Sequence, residues 1–191
     1  MNRSEILKVL RDNVSETRFN HCQRVEETAL ELAPRFGVQP EIVTPAALLH
    51  DLCREYKEDL LLQLATNFGI VIDEIEKAEP LLLHGSVAAA IVRSKYEFKD
   101  PEIFEAITFH ITGAPGVSSL TKLIYVADYL EPGRIFQAAR ELRDQAWSID
   151  PDLLVLKVNN RTLSYLISHN YLIHPLSIAS RNELIRKGFN E

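Results

Sequence analysis

Six ionisable side chains stand at positions where the helical hydrophobic pattern leads one to expect carbon. His21 lies one helical step from Val25, on the shoulder of an apolar stripe that continues to Leu32. His50 follows Ala46 by four and Asp51 follows Ala47 by four, so both leave the same buried helix. His84 lines up with Ala88 and Ile91, His110 extends the face of Ile103, Ala106 and Ile107, and Asp128 extends that of Leu120 and Ile124. A buried imidazole or carboxylate costs several kcal/mol unless it is paired, neutralised or bound to a metal. Lys and Arg are scarce on the same inward faces, so few counter-charges are at hand locally for Asp51 and Asp128. A metal site would satisfy all six groups at once. Imidazole nitrogen with carboxylate oxygen, and no required thiolate, suits Fe, Mn, Zn, Co or Ni, whereas Ca and Mg ask for more oxygen ligands.

The elements that must carry these groups read as helices throughout. The chain has 191 residues with only 7 glycines and 9 prolines, and most of these sit where a helix should begin or end. Ser4 is expected to cap a first helix carrying Ile6, Leu7, Leu10 and Val14, and Thr17 a second that Gly37 stops. Thr44 and Pro45 read as N-cap and first residue of a short helix, AALLHDLC. Further helices are expected over 58–68, 73–79, 84–96, 101–111, 119–130, 135–147, 151–169 and 176–188. The predicted class is therefore all-α, a helical bundle in one domain over 1–191, with the metal-ligand motifs in 19–134 and the helices of 135–191 completing it.

Composition bounds the function. Hydrophobic residues make up 46% of the chain and charged ones 25%, enough to bury a core and too apolar for a disordered segment. Acidic side chains number 27 against 21 basic, a formal charge of −6, which argues against unspecific binding to nucleic acid or anionic lipid. Nine of the acids but only three of the bases fall in 41–80. The charged start MNRSEILKVLR does not read as a signal peptide and no apolar run approaches a membrane span, so a soluble cytoplasmic protein with Cys22 and Cys53 as thiols is expected. No Gly-x-Ser-x-Gly, Walker A or dinucleotide-binding glycine pattern competes with the metal site.

The order His21, His50-Asp51, His84, His110 and Asp128 resembles that of the HD-domain metal-dependent phosphohydrolases. The segments AALLHDLCRE, PLLLHGSVAAAIV, ITFHITGAPG and KLIYVADYLEPGR resemble the bacterial YqeK-type family of symmetrical bis(5′-nucleosyl)-tetraphosphatases. The resemblance implies an all-α HD fold with a two-iron centre. His21, His50, Asp51 and Asp128 would hold one metal, and His84 and His110 the second, with Asp51 bridging. Two divalent ions with these ligands leave a charge of about +2, or about +1 with a bridging hydroxide, and so attract phosphate. The implied reaction is symmetrical hydrolysis of diadenosine tetraphosphate to two ADP by that hydroxide, with Asp51, His84 and His110 as the catalytic set. For substrate contacts we expect Arg54, Thr112, Gly113 and Arg134. Two departures stand out: Ala114 replaces a basic residue common in the family, and Arg54 replaces a lysine, keeping charge and gaining bidentate geometry. A small nucleotide is the expected partner, and a homodimer is left open. Two other readings are another HD phosphohydrolase, acting on a nucleoside monophosphate, deoxynucleotide or cyclic dinucleotide, and a non-catalytic nucleotide sensor.

Overall fold

The computed structural model describes residues 1–190, and among these every regular element is helical. The α-helices are α1 (Arg3–Asn13), α2 (Glu16–Phe36), α3 (Pro40–Leu49), α4 (Glu58–Asn67), α5 (Glu74–Ala78), α6 (His84–Lys95), α7 (Pro101–Phe109), α8 (Ser119–Leu130), α9 (Gln137–Gln145), α10 (Pro151–Ser168) and α11 (Pro175–Arg186). A 3-10 turn at Pro80–Leu83 runs directly into α6.

Three helix starts differ from expectation. Asn2 rather than Ser4 caps α1, because it forms a reciprocal capping box with Glu5. Ser15 rather than Thr17 caps α2: its hydroxyl accepts from Arg18 N at 3.2 Å while donating to Glu55. α3 starts at Pro40, before the expected Thr44-Pro45 cap, with Pro45 inside the helix. Pro40 is already suited to the first helical position, and Pro45, in the middle of the helix, forgoes the one bond its N–H would have made to the Glu41 carbonyl. At the other end α3 stops at Leu49, so His50 is its C-cap and Asp51 lies in the turn beyond.

α3 is the central element. Val43, Pro45, Ala46, Ala47, Leu48 and Leu49 are all buried, as expected of a helix that is apolar on every side. It packs on α1, α2, α7 and α8, while α6 lies along α7 and α10 bridges α8 to α11. One buried apolar cluster runs from Ile6 in α1 to Leu184 in α11. No helix among the described residues is long and apolar enough to cross a membrane. The consequence for the site is geometric: the C-terminal ends of α3 and α7 and the N-terminal end of α6 meet beside the interiors of α2 and α8.

Candidate metal centre

Three of the four clustered histidines sit at helix ends, and that placement sets their ring orientation. A helix end leaves carbonyls without an intrahelical partner. His50 and His110 cap α3 and α7, and His84 follows the 3-10 turn. Each donates Nδ1–H to the carbonyl three residues back: His50 to Ala47 at 2.6 Å, His84 to Leu81 at 2.6 Å and His110 to Ile107 at 2.8 Å. His21, in mid-helix, turns Nδ1 to the Glu131 carboxylate at 3.2 Å. With Nδ1 protonated in all four, every Nε2 is left as a bare lone pair.

These four nitrogens converge on Asp51. Its Oδ2 lies 3.5 Å from His21 Nε2 and 3.5 Å from His50 Nε2, while its Oδ1 lies 3.0 Å from His84 Nε2 and 3.5 Å from His110 Nε2. The two sets, His21–His50–Asp51 and Asp51–His84–His110, each bring their ligand atoms within 4.8 Å of one another. Asp128 Oδ1 joins the first set, 3.1 Å from His21 Nε2. His21 Nε2 and His50 Nε2 are buried without a hydrogen-bond partner. Lone pairs of nitrogen aimed at a carboxylate repel unless a cation lies between them, so the donor set fits metal and fits little else. All six sequence-predicted ligands are thus brought together.

Asp51, Asp128 and His110 sit in the protonation states that metal binding needs, whereas His50, which burial alone would lower, is raised overall by Asp51. Burial would raise Asp51, but the facing imidazoles of His50, His110 and His84 outweigh it and hold the carboxyl well below the usual range. Burial likewise opposes ionisation of Asp128, and contact with His21 and the Arg134 guanidinium overcomes it. Burial pushes His110 down to about 4, against the pull of Asp51, which keeps the ring neutral. Arg18 Nη1 reaches Asp51 Oδ2 at 2.6 Å and Arg134 Nη2 reaches Asp128 Oδ1 at 2.7 Å.

The centre opens into a cleft of about 650 Å³. Arg54 and Arg134 line it as expected, joined by Arg18 and Arg161. Thr112 and Gly113 were expected there and are not among its lining residues. Gly113 takes the left-handed conformation, φ 62°, and its N–H caps the Phe109 carbonyl at 2.7 Å. That turn carries the chain toward α11, so a Cβ at 113 would meet Ser180 at 3.0 Å. Thr112 is buried with its hydroxyl on the Gly113 carbonyl. Ala114 lines a small separate cavity with Gly113 and Ser180. Lys122 is engaged by Asp152 at 2.6 Å.

Two residues that support the ligands escaped sequence reasoning. Glu131, 2% exposed, receives His21 Nδ1, Arg24 Nε at 2.5 Å and Gly133 N at 2.6 Å. Gly85 lets α6 touch the end of α7: a Cβ there would lie 2.7 Å from the Ile107 carbonyl and 2.8 Å from that of Thr108. A third group, Asp73, Glu76 and His174, has metal-like composition but is already satisfied. Asp73 and Glu76 form the capping box of α5. His174 Nδ1 accepts from Leu176 N at 3.2 Å, so its proton is on Nε2, which donates to Asp73 Oδ2 at 3.0 Å.

This arrangement of histidine and aspartate on packed helices has a match among known proteins. The HD domain profile covers residues 18–133, and the chain belongs to the HD-domain family. The symmetrical bis(5′-nucleosyl)-tetraphosphatase of Staphylococcus aureus is 31% identical over 183 residues, spanning 95% of this chain and 94% of that protein. The protein of the same name from Bacillus subtilis is 32% identical over 185 residues, spanning 97% and 98%. The crystal structure of a "predicted HD superfamily hydrolase involved in NAD metabolism" from Clostridium acetobutylicum superposes with a TM-score of 0.92 at 31% identity, covering 98% of both chains. With relatives of this kind over nearly its full length, the protein is a hydrolase.

Proposed function

We propose that the protein cleaves diadenosine tetraphosphate symmetrically into two ADP with two divalent metal ions, iron foremost and Mn, Co, Ni or Zn as substitutes. The observation that carries this reading is the division of the two Asp51 oxygens between two imidazole pairs, which is the arrangement of a bridging carboxylate. His21, His50, Asp51 and Asp128 would hold one ion, and His84 and His110 would hold the other together with Asp51. When bound, such a pair supplies Lewis acidity toward phosphate oxygen and a water acidic enough to act as nucleophile near neutral pH. The full-length similarity to two proteins named symmetrical bis(5′-nucleosyl)-tetraphosphatases supports the substrate.

The chain's own groups perform the positioning. Nδ1–H bonds to the helix-end carbonyls lock the three imidazoles in the tautomer that presents Nε2 inward. Arg54 brings to the cleft a guanidinium fork that matches two phosphate oxygens at once, while Arg134 and Arg18, held by Asp128 and Asp51, add positive charge beside the centre. Holding the polyphosphate against the centre in this way supplies the orientation that in-line displacement needs.

Metal analysis of anaerobically purified protein, combined with identification of the products from diadenosine tetraphosphate, tests the reading. Two metals per chain and two ADP are expected, and AMP with ATP would overturn the symmetrical cut. His84→Ala should lose one ion and most of the turnover. Unchanged turnover in that variant, with under one metal per chain in the wild type, would overturn the two-metal mechanism.

A further inference from the structure

The cleft has two chemically different walls. One carries the metal-ligand set and arginines. The other comes from α10 and the segment before α9, and it is aromatic. Val158, Arg161, Thr162 and Tyr165 line the cleft from α10 at the spacing i, i+3, i+4, i+7, which places all four on one helical face. Phe136 and Tyr129 line it from the chain that follows α8 and from α8 itself.

Phe136 is 45% exposed and Tyr165 54% exposed, so both rings at the cleft keep surface free for a ligand. Both are braced. Phe136 meets Tyr129 edge to face at 5.3 Å and 79°, and Tyr165 contacts the ring of His169 at 4.1 Å and that of Tyr171 at 6.1 Å. Bracing lowers the ordering cost of using a ring as a binding platform. Both residues also lie beyond 133, outside the segment that matches the HD domain and holds the six metal-ligand candidates.

We infer that Tyr165 of α10 and Phe136 form a stacking platform for the nucleobase of the substrate, so that selectivity for nucleotides over inorganic polyphosphate resides in this wall and not in the HD segment. The inference rests on the reading that the substrate is a nucleotide. A ligand that is anionic at one end and flat and π-rich at the other matches both walls of the cleft, and a nucleotide is such a ligand. Stacking uses the π-face that every base has, so the platform accepts guanine about as well as adenine.

The test compares ADP with inorganic pyrophosphate, each titrated calorimetrically into the metal-loaded full-length protein. The wild type should bind ADP more tightly than pyrophosphate, and GDP within about threefold of ADP. Tyr165→Ala and Phe136→Ala should each weaken ADP binding about 10-fold, as loss of base–aromatic stacking does, with pyrophosphate affinity and metal content unchanged. Tyr165→Phe, which keeps the ring, should stay within about twofold of wild type. The inference is overturned if the wild type does not prefer ADP to pyrophosphate, if the double alanine variant binds ADP as wild type does, or if both ligands weaken together. Failure to form two ADP from diadenosine tetraphosphate, with the ADP preference present and lost in the variants, would instead reject the proposed substrate and leave the platform standing.

Discussion

His21 is the one clustered imidazole whose outer nitrogen rests on a carboxylate instead of a backbone carbonyl. Burial opposes the charge of Glu131, but hydrogen bonds from Arg24, Gly133 N and His21 keep its carboxyl below the usual range, so it faces the ring ionised. An ionised partner raises the basicity of a ligating imidazole and fixes its tautomer. Glu131→Gln is therefore expected to weaken metal affinity about 10- to 100-fold. A competition titration against a chelator of known affinity, with circular dichroism to confirm the fold, checks this. The two thiols give a second prediction. Burial pushes Cys53 up to about 12 and raises Cys22 well above its ordinary value. Only the thiolate reacts, so neither cysteine should be alkylated by iodoacetamide at pH 8 until urea is added, as mass spectrometry would report.

At the scale of elements, the metal set depends on how closely α6 lies against the end of α7. His84 begins α6 and His110 ends α7, with their Nε2 atoms 3.2 Å apart. Gly85 is the contact that permits this, because a Cβ would press on two backbone carbonyls that cannot swing aside. Gly85→Ala is expected to destabilise the fold by about 1–3 kcal/mol, as overpacking does. It should also lower metal affinity by separating the two imidazoles, whereas a purely structural glycine would move stability alone. Urea unfolding of the metal-free protein and metal titration of the folded protein separate the two effects. The same scale explains where Thr112 and Gly113 lie. They follow His110 in sequence, but a left-handed cap at Gly113 turns the chain away from the cleft.

For the molecule as a whole, the ligands come from α2, the end of α3, α6, the end of α7 and α8, so the centre ties together elements spread over more than a hundred residues. Metal that binds only the folded chain must stabilise it by mass action, by about 2.7 kcal/mol at a hundredfold excess over Kd. Removing metal with EDTA is expected to lower Tm by roughly 5–11 °C in a chain of this size, measured by thermal melting before and after dialysis. The net charge of −6 does not oppose an anionic ligand here. Glu58, Asp59 and Glu74, from the acidic stretch 41–80, are exposed, while the cleft is lined by four arginines. Exposed charges more than about 8 Å away are screened at physiological salt.

The all-helical class, the approximate extent of most helices and the six clustered metal-ligand candidates were legible in the sequence, because each is written in local periodicity: a polar group on an apolar stripe betrays itself within a turn or two. The helix starts were less so, since Asn2, Ser15 and Pro40 compete with neighbours of similar capping strength and the geometry of each turn selects among them. Glu131 and Gly85 were invisible for a different reason. Glu131 acts on His21 across 110 positions, and Gly85 acts on the carbonyls of another helix. The tautomers of the histidines, the sharing of Asp51 between two imidazole pairs and the aromatic wall of α10 belong to the same class. Each depends on distances between elements, and those are set only when the helices pack.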